Sequence, residues 1–354
     1  DAKCKTDQID AAVLAQLLAA DFIPEVWVPD QRTRALRRQV AHRSSLVQQR
    51  TRLRNRIQAI LLRNLCSAPY TDAFGSSGTR WLREVELPAE ERAQVDCTLR
   101  LLDGLAGEIT RVDSALLEEA LADPRVRHLL TLPGIGPVSA IAIVAVVGDV
   151  ARFGRPNQLV GYLGLDPRVR QSGNRPAYTG HISRQGQAHA RGLLVEAALG
   201  AIRVPGPLHA FFARVRGRRG GQVAFVAVAR KLAVLSWHLL SRDQDYRWES
   251  ASLTRSKIRR AELRAGRPRK PGGSRPAAGD PTQAQRRELE RQSLQQAENA
   301  YRAQTAAWRP RRDAAATSGE RLRVADQSQM RGGGSIPGLR SSHGVDRVRG
   351  ENSP

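Results

Sequence analysis

Between Arg168 and Arg184 the chain sets four arginines, Arg168, Arg170, Arg175 and Arg184, among Ser172, Thr179, His181 and Ser183. Guanidinium groups bind phosphate oxygens and stabilise charge that develops during phosphoryl transfer, and an exposed hydroxyl is a competent nucleophile toward phosphorus. Ser172 stands in QSGN, where Gly173 allows a sharp exposed turn. Residue types alone favour the plainer role, in which Ser172 and Ser183 bind phosphate or cap turns. His181 supplies a base by type, although a lone histidine is more often structural.

Two other stretches bear on the same chemistry. LTLPGIGPVSA, starting at Leu130, separates two short apolar runs with Gly134 and Gly136. This is the pattern of a helix-hairpin-helix, in which glycines let backbone N–H groups approach a phosphate at a helix N-terminus. A tight turn in a buried helical bundle reads the same way, and the charge of the chain tilts the balance toward phosphate. Near the start, Asp7 and Asp10 fall on one face of an expected helix over the first twenty residues, above Leu14, Leu17 and Leu18. Such a pair can hold Mg²⁺ or Mn²⁺ through oxygen ligands. Taken alone, two acids in the first turn are more simply explained by the helix dipole.

The 354 residues carry 57 Lys and Arg against 34 Asp and Glu, a formal charge of +23. Such an excess points to a polyanionic partner. Three cysteines, Cys4, Cys66 and Cys97, with no CxxC spacing argue against a disulfide framework or a zinc site and fit a reducing cytoplasm. The longest apolar run, Val138 to Val147, is too short to cross a bilayer, so no membrane partner is expected. The chain opens at Asp1 and its only methionine is Met330, which leads to the expectation of a missing N-terminal segment.

Elements that could position these residues follow in order. The prolines of DFIPEVWVPD mark an extended connector. From Gln31 a long helix carries ten arginines and no acid between Arg32 and Arg63. A second long helix, from about Pro88 to Asp123, carries nine acids against three arginines in residues 89–123, and the two suggest an antiparallel hairpin joined by a polar linker at 66–81. Pairs between them are expected on a solvated seam and to contribute little. Three helical patterns span Gln187 to Arg203, Leu208 to Arg216 and Val223 to Leu240, with RVRGRRGG at 214–221 read as a basic loop. After Trp248 come a basic linker, one helix at 283–308 and a tail of disordered composition.

With these residues on the page, the sequence resembles bacterial insertion-sequence transposases that join an RNase H-like DEDD domain to a serine-bearing transposase domain and are guided by a bridge RNA. The blocks KTDQIDAAVLAQLL, RTRLRNRIQAILLR, LPGIGPVSA, QLVGYLGLDPR, QSGNRP and HISRQGQAHARGLL carry the resemblance in that order. It implies a mainly α fold: a remnant of an RNase H-like α/β domain at 1–30, an antiparallel helical coiled coil at 31–123, and a serine-bearing domain with a helix-hairpin-helix at 124–250. Residues 251–312 would form a basic linker and helix, and 313–354 a disordered tail.

The same resemblance implies DNA cutting and joining through a phosphoserine intermediate, with Ser172 as nucleophile and Ser183 the less favoured assignment. Asp7 and Asp10 would be two of four Mg²⁺-binding acids, and the partners would be DNA, a structured guide RNA and further copies of the chain. The other two acids belong to strands upstream of Lys3, so this chain is expected to be inactive alone. The competing expectation is a non-catalytic RNA- or DNA-binding module.

Overall fold

The computed structural model describes residues 6–23, 25–173, 178–268 and 282–307. Its contacts divide the chain into a unit of residues 1–303 and another of 304–354. Among the described residues the fold is mainly helical, with one two-stranded sheet. The expected tail at 313–354 and most of the expected linker after Arg267 lie outside the described residues.

α1 (Asp7–Ala19) begins where the Thr6 hydroxyl accepts the Ile9 N–H. It buries none of its residues, so the apolar stripe expected beside Asp7 and Asp10 is exposed. The connector that follows uses Trp27 as an anchor against Gly148, where any β-carbon would collide with the indole at 2.4 Å. The Arg152 guanidinium lies over the rings of Trp27, Phe153 and Tyr162 at 4.3, 4.2 and 4.4 Å. Arg37 donates to the carbonyls of Ala145 and Val146, so cations close the carbonyl end of the apolar helix below.

α2 (Gln31–Arg63) starts at Asp30, whose carboxylate accepts from the N–H and hydroxyl of Thr33. α4 (Ala89–Ala122) packs against it in the opposite direction, as the ion pairs Arg32–Glu119, Arg43–Asp113 and Arg63–Glu91 require. The seam is not uniformly solvated. Asp113 has a side chain only 4% exposed and bridges Arg43 of α2 to Arg264 of α11 (Ala251–Arg264). The sequence hid this because Arg264 comes from a helix 151 residues away in the chain.

The linker at 66–81 is also more ordered than its GSSG suggests. α3 (Ser76–Glu84) starts inside it and buries Leu82 against the cluster of Ile57, Ile60, Val95 and Leu99. Its Gly78 sits where a β-carbon would meet backbone atoms of Asp72 and Ala73 at 2.5 Å, so glycine serves packing rather than looseness.

The main core is built from α5 (Pro124–Leu130), α6 (Pro137–Val147), α7 (Pro156–Tyr162), α8 (Ala188–Ala201), α9 (Pro207–Arg219) and α10 (Gly221–Arg242). α10 packs on α5, α7, α8 and α9 and buries Val228, Leu232 and Leu239. By length and composition α10 alone among the described helices could cross a membrane; here it is a core helix. α9 continues through Arg219 before Gly220 ends it, so most of the basic stretch at 214–221 is helical rather than loop. Arginines in a last helical turn face the carbonyl end of the dipole, which favours that extension. α12 (Gln283–Ala307) matches the expected helix and buries Leu294 and Ala297.

Removing the shared anion should leave two arginines without their partner. Asp113→Ala is therefore expected to cost about 2–3 kcal/mol in urea unfolding, the low end for a buried bridge because both guanidinium groups reach solvent. A loss below about 0.5 kcal/mol, as for an exposed pair, would contradict this role.

Candidate nucleic-acid interface

The polar loop is a β-hairpin, which the sequence reading did not resolve. β1 (Pro167–Arg170) pairs antiparallel with β2 (Tyr178–Ile182), Val169 opposite Thr179 and Arg170 opposite Tyr178, with an irregularity between Pro167 and Val169. Ser172 lies beyond the end of β1, exposed, followed by Gly173 at φ +54° with open space around it. Arg175 lies outside the described residues. Arg168, Arg170, Tyr178, His181 and Arg184 line a cleft of about 420 Å³ along the hairpin. Arg170 and Arg184 have no ion pair among the described residues, so their charge is available to a phosphate.

Ser183 has a different setting. It is buried, its hydroxyl donates to Asp166 Oδ1 at 2.6 Å, and its N–H donates to the Asp166 carbonyl at 2.8 Å. Arg168 donates to the Ser183 carbonyl at 3.1 Å. Asp166 and Ser183 thus clasp the base of the hairpin. Directly after the clasp, Arg184 adopts φ +57° and its N–H donates to the Gly164 carbonyl. Gly164 tolerates the crossing only because it lacks a β-carbon, which would stand 2.1 Å from the Gln185 carbonyl oxygen. Asp166 was missed from sequence, and the only signal was its place immediately before Pro167.

The glycine hairpin between α5 and α6 is likewise fixed by packing. Gly134 has φ +82°, and a β-carbon there would lie 1.9 Å from the Ala197 carbonyl oxygen in α8. A β-carbon on Gly200 would in turn approach Gly134 Cα at 2.9 Å. Gly134 therefore seats the turn on α8, and only Gly136, the residue capping α6, has open space at its Cα. Lys257 of α11 closes the other side, donating to the carbonyls of Leu130 and Leu132 at 2.6 and 2.7 Å. As one of few lysines in an arginine-rich chain, Lys257 was visible but gave no sign of its target.

Asp7 and Asp10 occupy the first turn of α1, where the helix dipole favours acids. Among the described residues no three His, Cys, Asp or Glu side chains group as a metal site. Mg²⁺ can be held by one or two carboxylates with waters completing its octahedron, a demand that Asp7 and Asp10 meet by type.

Comparison with known proteins adds the ancestry of these pieces. Residues 126–213, which hold both hairpins, match the model described as the transposase IS116/IS110/IS902 family. Residues 1–65 match a second transposase model, named for the DEDD transposase of IS110. A Pseudomonas aeruginosa protein named "Probable family 20 transposase" is 31% identical over 261 residues, covering 69% of this chain and 74% of that protein. The transposase for insertion sequence element IS1111A of Coxiella burnetii is 30% identical over 259 residues, 69% of this chain and 68% of that one.

Two measurements probe the hairpin's supports. Gly134→Ala combines overpacking with a left-handed backbone and is expected to cost about 2–4 kcal/mol by urea unfolding. Wild-type stability would contradict the packing. Burial pulls the Lys257 ammonium down to about 8, with Glu249 opposing. Between pH 8 and about 10.5 the unfolded chain then holds a proton that the folded chain has released, so stability rises with pH across that window. Wild type should gain on Lys257→Met by up to about 3 kcal/mol there; a flat or narrowing gap would contradict it.

Proposed function

The chain belongs to the IS116/IS110/IS902 family of transposases, and on that premise we propose that its β1–β2 hairpin is the strand-cutting element of an insertion-sequence recombinase. Ser172 Oγ attacks a backbone phosphorus and one P–O bond of the DNA breaks. The serine proton leaves to solvent or to His181, and the departing strand oxygen takes up a proton. Arg168, Arg170, Arg175 and Arg184 hold the phosphate and balance its charge. The observation that carries this reading is the contrast between the serines: Ser172 is exposed just past Arg170, which has no ion pair among the described residues, whereas Ser183 is buried and spends its hydroxyl on Asp166.

The partners on this reading are DNA, a structured guide RNA and further copies of the chain, working in the cytoplasm. On this reading α1 is part of an RNase H-like domain, and its exposed Leu14, Leu17 and Leu18 suit the face of a sheet. The paired helices α2 and α4 form the coiled-coil segment. Mg²⁺ chemistry belongs to the assembled enzyme, for which Asp7 and Asp10 supply two ligands.

A second reading, a module that binds nucleic acid without cutting it, is supported by Arg170 and Arg184, which line the hairpin cleft with no ion pair among the described residues and can hold phosphate without any chemistry. On that reading the chain with Mg²⁺ binds DNA and leaves it uncut; cleavage would overturn it. Catalysis is tested by incubating the chain with duplex DNA and Mg²⁺ and trapping covalent adducts. Ser172→Ala should abolish covalent protein–DNA adducts while binding persists. Adducts that survive in Ser172→Ala and vanish in Ser183→Ala would reverse the assignment.

A further inference from the structure

A second basic concavity lies outside both stretches that match transposase models. α11 and the start of α12 enclose a groove of about 600 Å³ lined by Arg255, Arg259, Arg260, Arg286 and Arg287, with no acid in its walls. Two neighbouring acids are already engaged, one of them by a groove arginine. Glu262 pairs with Arg259 and Arg267, and Glu290 accepts from the hydroxyls of Ser250 and Ser252. Arg260, Arg286 and Arg287 are exposed and have no ion pair among the described residues.

The groove is also held in shape. Glu290 receives the Ser252 N–H at 3.1 Å, and one turn pair further along α12 the buried Glu298 receives the Gly206 N–H at 2.9 Å and faces His209 Nδ1 at 2.9 Å. These carboxylates pin α12 to the core at two levels. The other wall, α11, is fixed by Lys257 on the glycine hairpin and by Arg264 on Asp113. Uncompensated arginines on two anchored helices are costly through mutual repulsion unless an anion relieves them.

We propose that the α11–α12 groove is a second nucleic-acid site that grips the phosphodiester backbone of a strand, separate from the β-hairpin where cutting is assigned. This rests on the reading of the chain as a nucleic-acid enzyme and adds to it a positioning surface that does no chemistry. RNA and DNA present the same phosphate chemistry to the groove, and the test separates them.

The test is fluorescence anisotropy of the full chain with labelled duplex DNA and with labelled hairpin RNA across salt concentrations. Each phosphate contact contributes about 0.9 to the slope of log affinity against log salt on duplex and about 0.7 on single strands. Arg260→Gln/Arg286→Gln/Arg287→Gln should lower that slope by about two and weaken binding at least tenfold near physiological salt. Arg260→Lys/Arg286→Lys/Arg287→Lys, which keeps the charge, should retain most of the slope. A charge-matched control on other helices, Arg80→Gln/Arg83→Gln/Arg242→Gln, should bind like wild type.

Loss with RNA alone, with DNA alone or with both identifies the strand and supports the groove. Wild-type binding that the groove variant leaves unchanged, or a control that loses as much, overturns the groove while the family function stands. A wild-type chain that binds neither probe overturns both.

Discussion

The approach of Gly134 to the backbone of α8 is the constraint on which the functional half of the fold depends. No side chain fits between the turn and Ala197, so the two helices joined by the glycine hairpin sit directly on the backbone of α8. α8 follows directly on the β-hairpin that carries Ser172, so the two motifs are held by one packing contact. Lys257 then closes the outer side of the turn and brings α11 into the same assembly. The glycines that look like a phosphate cradle act first as a joint.

The positive charge of the chain has two uses, and the contacts separate them. Arg37, Arg152 and Arg191 cap carbonyls, while Arg43 and Arg264 share Asp113 and Arg125 holds Asp123. These arginines replace the cross-links that a chain of short helices needs between distant segments. Arginines without an ion pair among the described residues include Arg170 and Arg184 on the β-hairpin and Arg260, Arg286 and Arg287 in the α11–α12 groove. A net charge read from sequence overstates the surface offered to nucleic acid, since part of it is consumed internally.

Local periodicity made most of the helices legible. α2, α4, α6, α8, α10 and α12 fall close to their expected bounds because apolar residues recur at helical spacing, and α2, α4, α6 and α10 begin at an aspartate, proline or glycine cap. What escaped depends on contacts between distant segments. α3 is too short for its period to outweigh GSSG, and α11 is so basic that its buried Ala261 gives little apolar signal. The Asp166–Ser183 clasp joins residues whose types are ordinary. In the candidate site, the arginines and Ser172 were evident from their density in one stretch. The difference in exposure between Ser172 and Ser183, which bears on the choice of nucleophile, required the fold.

The central claim is that Ser172 takes up the DNA phosphate while Ser183 braces the hairpin. Site-resolved mass spectrometry of the DNA-linked protein tests it most directly because it reads the bonded atom rather than the effect of a mutation. The account predicts a phosphodiester remnant on Ser172 and an unmodified Ser183. A remnant on Ser183, or on any residue outside the β1–β2 hairpin, would contradict it.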